Sequence, residues 1–307
     1  MANRRVLIKR RKSVRNIRKI TRTMQLIATA RFQAAFSRAT ATKPYTEKLA
    51  ELVADITGAV GDVKHPLMER HGEPTRAALV TITSARGLCG GYNANVLRKA
   101  MAFCDESRQA GLTPDVYMVG KKGINYFKFL RREMADRITT IADAPRFDQI
   151  EPIANRLMER FIAGDIASAH VAYMQFVSAG VQRPTVLQLL PLSADAPADA
   201  VGATVKSPAK TVGGGAAGAK RTVEYEFSPA PQQLLDELLP ATVRIRLFQC
   251  FTDATVSEQI ARMVAMKAAT DAAGDMITDL TRRYNRARQT HITMELLDIV
   301  GGANAIS

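Results

Sequence analysis

The chain has 307 residues, enough for two ordinary domains, with 43 Lys and Arg against 29 Asp and Glu. Hydrophobic residues make up 47% and charged residues 23%, values that exclude wholesale disorder. No apolar run approaches the roughly 20 residues of a membrane-spanning helix. Three cysteines that are far apart in the sequence suit a reducing compartment. The cysteines and the four scattered histidines show no spacing typical of a metal site.

The positive charge is concentrated at the N-terminus. Residues 1–46 contain 13 basic side chains and no acidic one, whereas the other 261 residues carry 30 basic and 29 acidic groups. This distribution disfavours a uniformly basic coat for nucleic acid. The basic arm fits three alternatives about equally: a nucleic-acid-binding segment, a mitochondrial transit peptide, or a helix surrounded by acidic partner surfaces.

Helix-breaking residues are scarce at both ends of the chain, which predicts a long helix at each end. Residues 1–57 contain Pro44 as their only Gly or Pro, and residues 241–300 contain only Gly274. We expect the N-terminal helix to span 1–57 and the C-terminal helix to span 230–307. Helices of this length need a partner along them, so an antiparallel coiled coil of the two is predicted.

Each terminal helix carries a narrow apolar stripe that we expect to face the other helix. The N-terminal stripe consists of Val14, Ile17, Ile20, Met24 and Ile27. The C-terminal stripe consists of Val256, Ile260, Met263, Ile277, Leu280, Tyr284, Ala287, Ile292, Leu296 and Ile299. Between its parts lies an alanine-rich stretch at 265–273, whose small side chains allow another helix to approach closely.

The middle of the chain alternates strands with helices, which predicts a Rossmann-like α/β domain over residues 77–191. Strands are expected at 77–83, 116–119, 169–177 and 185–190, and helices at about 93–107, after Gly120, and at 147–163. The sheet should be largely parallel, with helices covering it. Residues 192–228 include a run of Gly and Ala and are predicted to form a flexible insertion.

No set of residues in the chain predicts an active site. The turn Arg86–Gly91 contains three glycines but lacks the spacing of a nucleotide-binding loop, which favours a tight turn exposed for protein contact. Cys89 fits a packed thiol better than a nucleophile, and the histidines give no local support for a catalytic triad. We therefore expect no catalysis, no metal and no cofactor.

Four separated motifs resemble those of the γ subunit of F-type ATP synthases, in the same order as in that family. They are residues 19–31 (KITRTMQLIATAR), the turn 86–91 with Asn93, residues 257–271 (SEQIARMVAMKAATD) and residues 284–296 (YNRARQTHITMEL). The resemblance spans essentially the whole chain apart from 193–222. It implies a central rotor shaft, formed by the antiparallel terminal helices, and an α/β foot domain.

The resemblance also implies a function and partners. The shaft would stand in an α3β3 hexamer, and the foot would bind the ε subunit and the membrane c-ring. The chain would be a non-catalytic subunit that couples c-ring rotation to conformational cycling of the catalytic β subunits in a proton-translocating ATP synthase. The alternatives are a basic coiled-coil nucleic-acid-binding protein and, less favoured, a nucleotide-dependent α/β enzyme.

The resemblance assigns roles to single residues. Positions that contact β subunits in the family correspond to Met24, Arg262, Gln289, Thr293 and Glu295, and Asp298 stands where relatives typically carry Glu. The turn on the ε and c-ring side of the foot is expected to present Arg86, Gly87, Cys89, Gly90 and Gly91.

The resemblance bears on location and redox control as well. The family motif begins almost at Met1, which leaves no room for a transit peptide and favours the cytoplasmic face of a bacterial inner membrane. The insertion lacks the cysteine pair of some photosynthetic relatives, so a thiol switch there is excluded.

Overall fold

The computed structural model describes residues 4–60, 65–69, 75–141, 144–192 and 231–304, so residues 193–228 of the predicted insertion lie outside the described part. The elements in chain order are α1 (Arg4–Val60), β1 (Arg76–Ile82), α2 (Tyr92–Gln109), β2 (Thr113–Val119), α3 (Lys121–Phe129), β3 (Asp136–Ile138), α4 (Phe147–Ile162), β4 (Ser168–Ser178), β5 (Val181–Leu190) and α5 (Pro231–Asn304). Residues 1–31 with 261–307 form one compact unit, the two-helix unit, and residues 32–260 form the other, the sheet unit.

The sheet unit contains a five-stranded sheet in the order β3-β2-β1-β4-β5. Strands β1 to β4 run parallel, and β5 pairs antiparallel with β4 as a hairpin. The predicted α/β class with a largely parallel sheet is confirmed. Strand β3 was not predicted, because its three residues include one apolar side chain, too few to form a recognisable strand pattern.

Alternate residues of the central strands face two different helical layers. Leu79 packs with Leu97 of α2 and Phe127 of α3, whereas its neighbour Val80 packs with the layer that contains Leu157 of α4 and Leu247 of α5. This period of two follows from the pleat of the strand. Both faces are covered, which explains why β1 reads as a continuous apolar run in the sequence.

One half-buried histidine in the sheet unit has an incomplete set of partners. His170 on β4 lies with its ring centroid 4.5 Å from that of Phe103 on α2. Its buried Nδ1 has no hydrogen-bond partner among the described residues. Burial lowers the pKa of His170 from 6.5 to about 4, so the folded protein holds a neutral imidazole at pH 7.

We expect this histidine to make the sheet unit sensitive to acid. The unfolded chain takes up the proton near pH 6.5 and the folded chain only near pH 4, so stability is lost as the pH falls through this window. Between pH 7.5 and pH 5 the loss from this group should be about 2 kcal/mol. Urea unfolding followed by circular dichroism at the two pH values should show a loss that is smaller in His170→Leu than in the unaltered chain by about this amount. Burial also lowers the pKa of His65, so part of the acid sensitivity should remain in the variant. The exposed His291→Leu serves as the control and should show the full loss.

The two-helix unit consists of the N-terminal part of α1 and the C-terminal part of α5, running antiparallel. The Oγ1 atoms of Thr21 and Thr270 lie 2.8 Å apart in a hydrogen bond. The Arg11 guanidinium lies 5.0 Å from the ring centroid of Tyr284. Because residue 11 lies near residue 284 and residue 21 lies near residue 270, the two helices run in opposite directions, as predicted.

The predicted seam on α1 was wrong. Four of its five residues are exposed, namely Ile17 (51%), Ile20 (58%), Met24 (37%) and Ile27 (50%). In the part of α1 that belongs to this unit, the buried residues are Leu7, Thr21 and Ala28, with Val14 half-buried, a seven-residue repeat. The small side chains of Thr21 and Ala28 allow the helix backbones to approach closely, and the apolar stripe faces outward.

In the two-helix unit, the predicted burial of the α5 stripe is confirmed as far as Ala287 and is wrong beyond it. Leu280 is buried, and Ile277, Tyr284 and Ala287 are half-buried. Ile292, Leu296 and Ile299 are exposed, against the prediction. By the register given above, Arg4 lies level with about residues 287–291, so the part of α1 that is described ends before it could cover them.

The register also predicts a stabilising substitution. A Cβ added at Gly274 would lie 3.8 Å from Cζ of Arg18, an ordinary van der Waals contact, and it would meet nothing closer. Alanine is preferred over glycine inside a helix, so Gly274→Ala should raise the free energy of unfolding by about 0.5–1 kcal/mol. Thermal unfolding of the purified chain measures this effect, and a lower melting temperature would contradict the register.

Candidate protein-interaction surfaces

The two-helix unit carries most of the net charge of the protein. Its sequence contains 17 basic and 5 acidic residues, a net charge of +12, against +14 for the whole chain. Of the 11 basic residues on its α1 part, all are exposed except Arg11, which is half-buried. Like charges packed along one helix repel one another, so this surface favours acidic partners.

An apolar stripe runs along the exposed surface of α1. Ile17, Ile20, Met24 and Ile27 are separated by 3, 4 and 3 residues and therefore lie on one side of the helix. Basic residues lie between them in the sequence, including Lys19 and Arg22. Contiguous exposed apolar side chains of this kind mark a protein contact more than a site for the phosphate backbone of a nucleic acid.

The C-terminal end of α5 provides a second apolar surface. Every residue from 288 to 301 is exposed. Six of them are large apolar side chains: Ile292, Met294, Leu296, Leu297, Ile299 and Val300. A helix that is apolar on several sides and has no covering element among the described residues requires an external environment that shields it.

The five predicted contact residues fall into two groups. Met24 is exposed and Arg262 is half-buried, and by the Thr21–Thr270 register they lie within about 8 Å of each other along the helix axis. Gln289, Thr293 and Glu295 are exposed about 40 Å further along α5.

Within the second group, two side chains make contacts with residues four positions away on the same helix. Thr293 donates a hydrogen bond from Oγ1 to the carbonyl of Gln289 at 3.0 Å, and His291 Nδ1 lies 3.0 Å from Glu295 Oε1. Asp298, the sixth candidate, is also exposed. The structure therefore places these residues on the accessible surface but does not bring all of them to one site.

The glycine-rich turn 86–91 follows the carboxyl end of β1 and is held by a hydrogen-bond network centred on Asn93. The Asn93 Oδ1 atom accepts a bond from the backbone N–H of Ser84 at 2.9 Å. The Asn93 amide donates to Ser84 Oγ at 2.8 Å and to Cys89 Sγ at 3.2 Å. This network buries Cys89, which is 2% exposed and thus packed inside the turn.

The same turn presents other side chains outward. Leu88 and Gly90 both have a left-handed backbone, with φ of 64° and 56°. Leu88 is 58% exposed and Arg86 is also exposed. A non-glycine residue in this conformation costs about 1 kcal/mol or more. The rest of the fold therefore keeps Leu88 in a backbone conformation that is locally unfavourable, and its side chain is exposed. This arrangement suits contact with another protein.

The crevice at the carboxyl ends of the parallel strands is nearly filled. In doubly wound folds, nucleotides bind in this position. Here the space between Ile82 and Gly120 on one side and Phe251 and Ala254 of α5 on the other is about 40 Å³, room for about one water molecule. The turn therefore does not open onto a phosphate cradle, because α5 occupies the place of the ligand.

The described residues contain no group of three or more His, Cys, Asp or Glu arranged to hold a metal ion. None of their helices has a stretch that is both long enough and apolar enough to cross a bilayer.

Comparison with known proteins gives whole-length matches. A family model described as ATP synthase matches residues 3–306. The ATP synthase gamma chain of Rhodopirellula baltica is 42% identical over 311 residues, which cover 100% of this chain and 99% of the relative. The gamma chain of Leptospira biflexa is 36% identical over 307 residues, covering both chains completely.

Solved structures share the fold at low sequence identity. A chain of the mitochondrial ATP synthase rotor of Euglena gracilis has a TM-score of 0.60 and 16% identity, covering 94% of this chain and 98% of its own length. A chain of the Tetrahymena thermophila central stalk and c-ring has a TM-score of 0.55 and 19% identity, covering 81% and 99%. Since the family model and the relatives above match over essentially the full length, this chain belongs to the ATP synthase gamma chain family.

Proposed function

We propose that this chain is the central-stalk rotor subunit of an F1Fo ATP synthase. The observation that carries the proposal is the full-length match to gamma chains, at 42% identity in the case of Rhodopirellula baltica. The exposed basic and apolar surfaces of the two-helix unit support it, because they need partners that supply acidic and apolar groups. The partners are the α and β subunits around the shaft, and the ε subunit and c-ring at the foot.

The asymmetry of the two-helix unit provides the means of coupling. One side of α1 carries the apolar stripe of Ile17, Ile20, Met24 and Ile27, and basic residues are the most frequent residues on the rest of its exposed surface. In a ring of three identical β subunits, each orientation of such a shaft offers each subunit a different surface. Because the contact free energy then differs between the three β subunits, each of them favours a different conformation. As the shaft rotates, every β subunit adopts these conformations in turn.

In this proposal residues 1–57 and 230–307 supply the shaft and residues 77–191 the foot. Met24, Arg262, Gln289, Thr293 and Glu295 contact the β subunits, with Asp298 beside them. The turn 86–91 contacts the ε and c-ring side. All these assignments derive from the family resemblance. The exposure of Arg86, Gly90 and Gly91 in the turn and of four of the five shaft residues supports them, whereas Cys89 is buried and Gly87 half-buried.

We further infer that the chain is a non-catalytic part of the complex, located at the cytoplasmic face of a bacterial inner membrane. The filled crevice at the carboxyl ends of β1 and β2 supports the first inference. The bacterial relatives support the second. The alternative of a nucleic-acid-binding protein receives no support from these matches.

Co-expression with the α and β subunits of the same organism tests the proposal. A tag on this chain should recover both subunits in a complex that hydrolyses ATP, while the isolated chain should hydrolyse none. The basic arm makes a second assay necessary, since duplex DNA could be retained through counterion release. Tight DNA binding at physiological salt without recovery of α and β would overturn the proposal in favour of the nucleic-acid alternative.

A further inference from the structure

A second pocket of the sheet unit lies at the opposite edge of the sheet from the turn 86–91. It opens at the amino-terminal end of β2 and has a volume of about 620 Å³. Its floor contains three buried side chains, Cys104, Val116 and Phe127. The pocket has an apolar floor and a largely polar and charged rim, and its volume lies in the range of sites for small organic molecules.

Three arginines line the pocket and are incompletely neutralised. Arg108 Nη1 and Arg132 Nη1 lie 3.2 and 3.5 Å from the same oxygen of Asp105. The backbone N–H of Arg131 donates to the carbonyl of Lys128, but its guanidinium makes no hydrogen bond or ion pair with another described residue. Glu133 provides the other carboxylate at the pocket. The five side chains sum to one net positive charge, and a single carboxylate serves two guanidinium groups.

The conformation of Arg131 is a second observation that points to the pocket. Three helices of the sheet unit end in the same hydrogen-bond pattern, in which the two residues after the C-cap donate back into the last turn. The first of these residues is Gly111 after α2 and Gly164 after α4, with φ of 79° and 75°. After α3 it is Arg131, with φ of 52°.

The glycine position is therefore occupied by an arginine in one of three equivalent turns. An L-residue with a side chain is strained in this region, and glycine relieves the strain. The strained residue, Arg131, lines a pocket that is also lined by two other arginines. A functional use of the guanidinium would account for this exception.

We propose that this pocket binds a small organic phosphate, with Arg108 and Arg131 on the phosphate groups and the apolar floor against the organic part. Guanidinium groups form paired, charge-assisted hydrogen bonds with phosphate oxygens, which a planar donor set fits better than a point charge. The volume accommodates a nucleoside phosphate. Glu133 opposes the ligand charge and keeps the affinity moderate.

Titration calorimetry of the full chain with pyrophosphate and with ATP tests this site. Both probes should bind saturably, and Arg131→Gly should weaken the binding about tenfold or more. Because glycine suits the left-handed turn, the same variant should melt about 2 °C higher than the unaltered chain. Loss of binding together with higher stability separates a ligand contact from damage to the fold.

Two further variants act as controls. Glu133→Gln removes a like charge and should tighten ATP binding about threefold. Arg98→Gln removes an exposed positive charge of the same sheet unit outside the pocket and should leave the affinity unchanged. Unaltered binding in Arg131→Gly would show that the probes bind elsewhere, for example on the basic arm, and would overturn the proposal. Absence of saturable binding of both probes to the unaltered chain would overturn it as well.

Discussion

Replacement of Gly120 by alanine is expected to destabilise the sheet unit by roughly 3 kcal/mol or more. Gly120 has a φ of 92°, and a Cβ added there would lie 2.1 Å from the carbonyl oxygen of Thr83 and 2.7 Å from its carbonyl carbon. These are backbone atoms, which cannot rotate away. Since the Thr83 backbone N–H also donates to the Val119 carbonyl at 2.9 Å, relief requires β1 and β2 to separate at their carboxyl ends.

Urea unfolding followed by circular dichroism measures this loss, and Gly111→Ala is its matched control. Gly111 also has a left-handed backbone, with a φ of 79°, but a Cβ added there would meet nothing within 4 Å. The control therefore reports the conformational cost alone, about 1 kcal/mol. Equal losses in the two variants would contradict the close approach of Gly120 to β1.

Reversal of the charge at Arg262 is expected to lower ATP synthesis by the assembled complex about tenfold. Arg262 is half-buried and belongs to the unit that carries a net charge of +12. If it contacts a β subunit, glutamate replaces an attraction to acidic groups with a repulsion in a partly desolvated gap, and a tenfold effect needs only ~1.4 kcal/mol. Proton-driven ATP synthesis in reconstituted vesicles is the measurement.

Two controls distinguish a contact from a general charge effect. Arg262→Lys keeps the charge and should retain most of the activity. Arg282→Glu reverses the charge of an exposed arginine of α5 that is not among the predicted contacts, and it should have a smaller effect. If Arg262→Glu and Arg282→Glu lowered ATP synthesis equally, the specific contact at Arg262 would be wrong, although the rotor function would stand.

The fold class was predictable because its signals are local and repeated. The scarcity of Gly and Pro indicated α1 and α5, and the continuous apolar run from Ala77 to Ile82 indicated a strand buried on both faces. The start of β5 was placed four residues late, at Thr185, because Arg183 and Pro184 are not typical of strands. As an edge strand, β5 tolerates the missing N–H of Pro184.

The direction in which the apolar stripe of α1 points was not predictable from periodicity. The stripe through Ile20 and the seam through Thr21 are both compatible with one face of a helix, and hydrophobicity favours the former as the buried one. Thr21 and Ala28 are buried because small residues let α1 approach α5 closely. Burial within the chain and burial within an assembly leave the same sequence pattern, so only the structure separates them.

The role of Arg131 was equally hidden from sequence reasoning. A glycine after a helix predicts a left-handed turn, but an arginine there gives no such signal. Arg131 is an exception only in relation to Gly111 and Gly164, which occupy the equivalent position in the two other turns of the folded sheet unit. In contrast, the turn 86–91 was located correctly because its glycines directly follow a recognisable strand.

Direct observation of rotation tests whether this chain turns inside a ring of α and β subunits. The three native cysteines are free and buried, so a cysteine introduced at the exposed position Arg98 can carry a bead selectively. With the α and β subunits fixed to a surface, ATP should drive the bead in one direction only. ATP hydrolysis by the assembled complex with a bead that shows only Brownian motion would contradict the account.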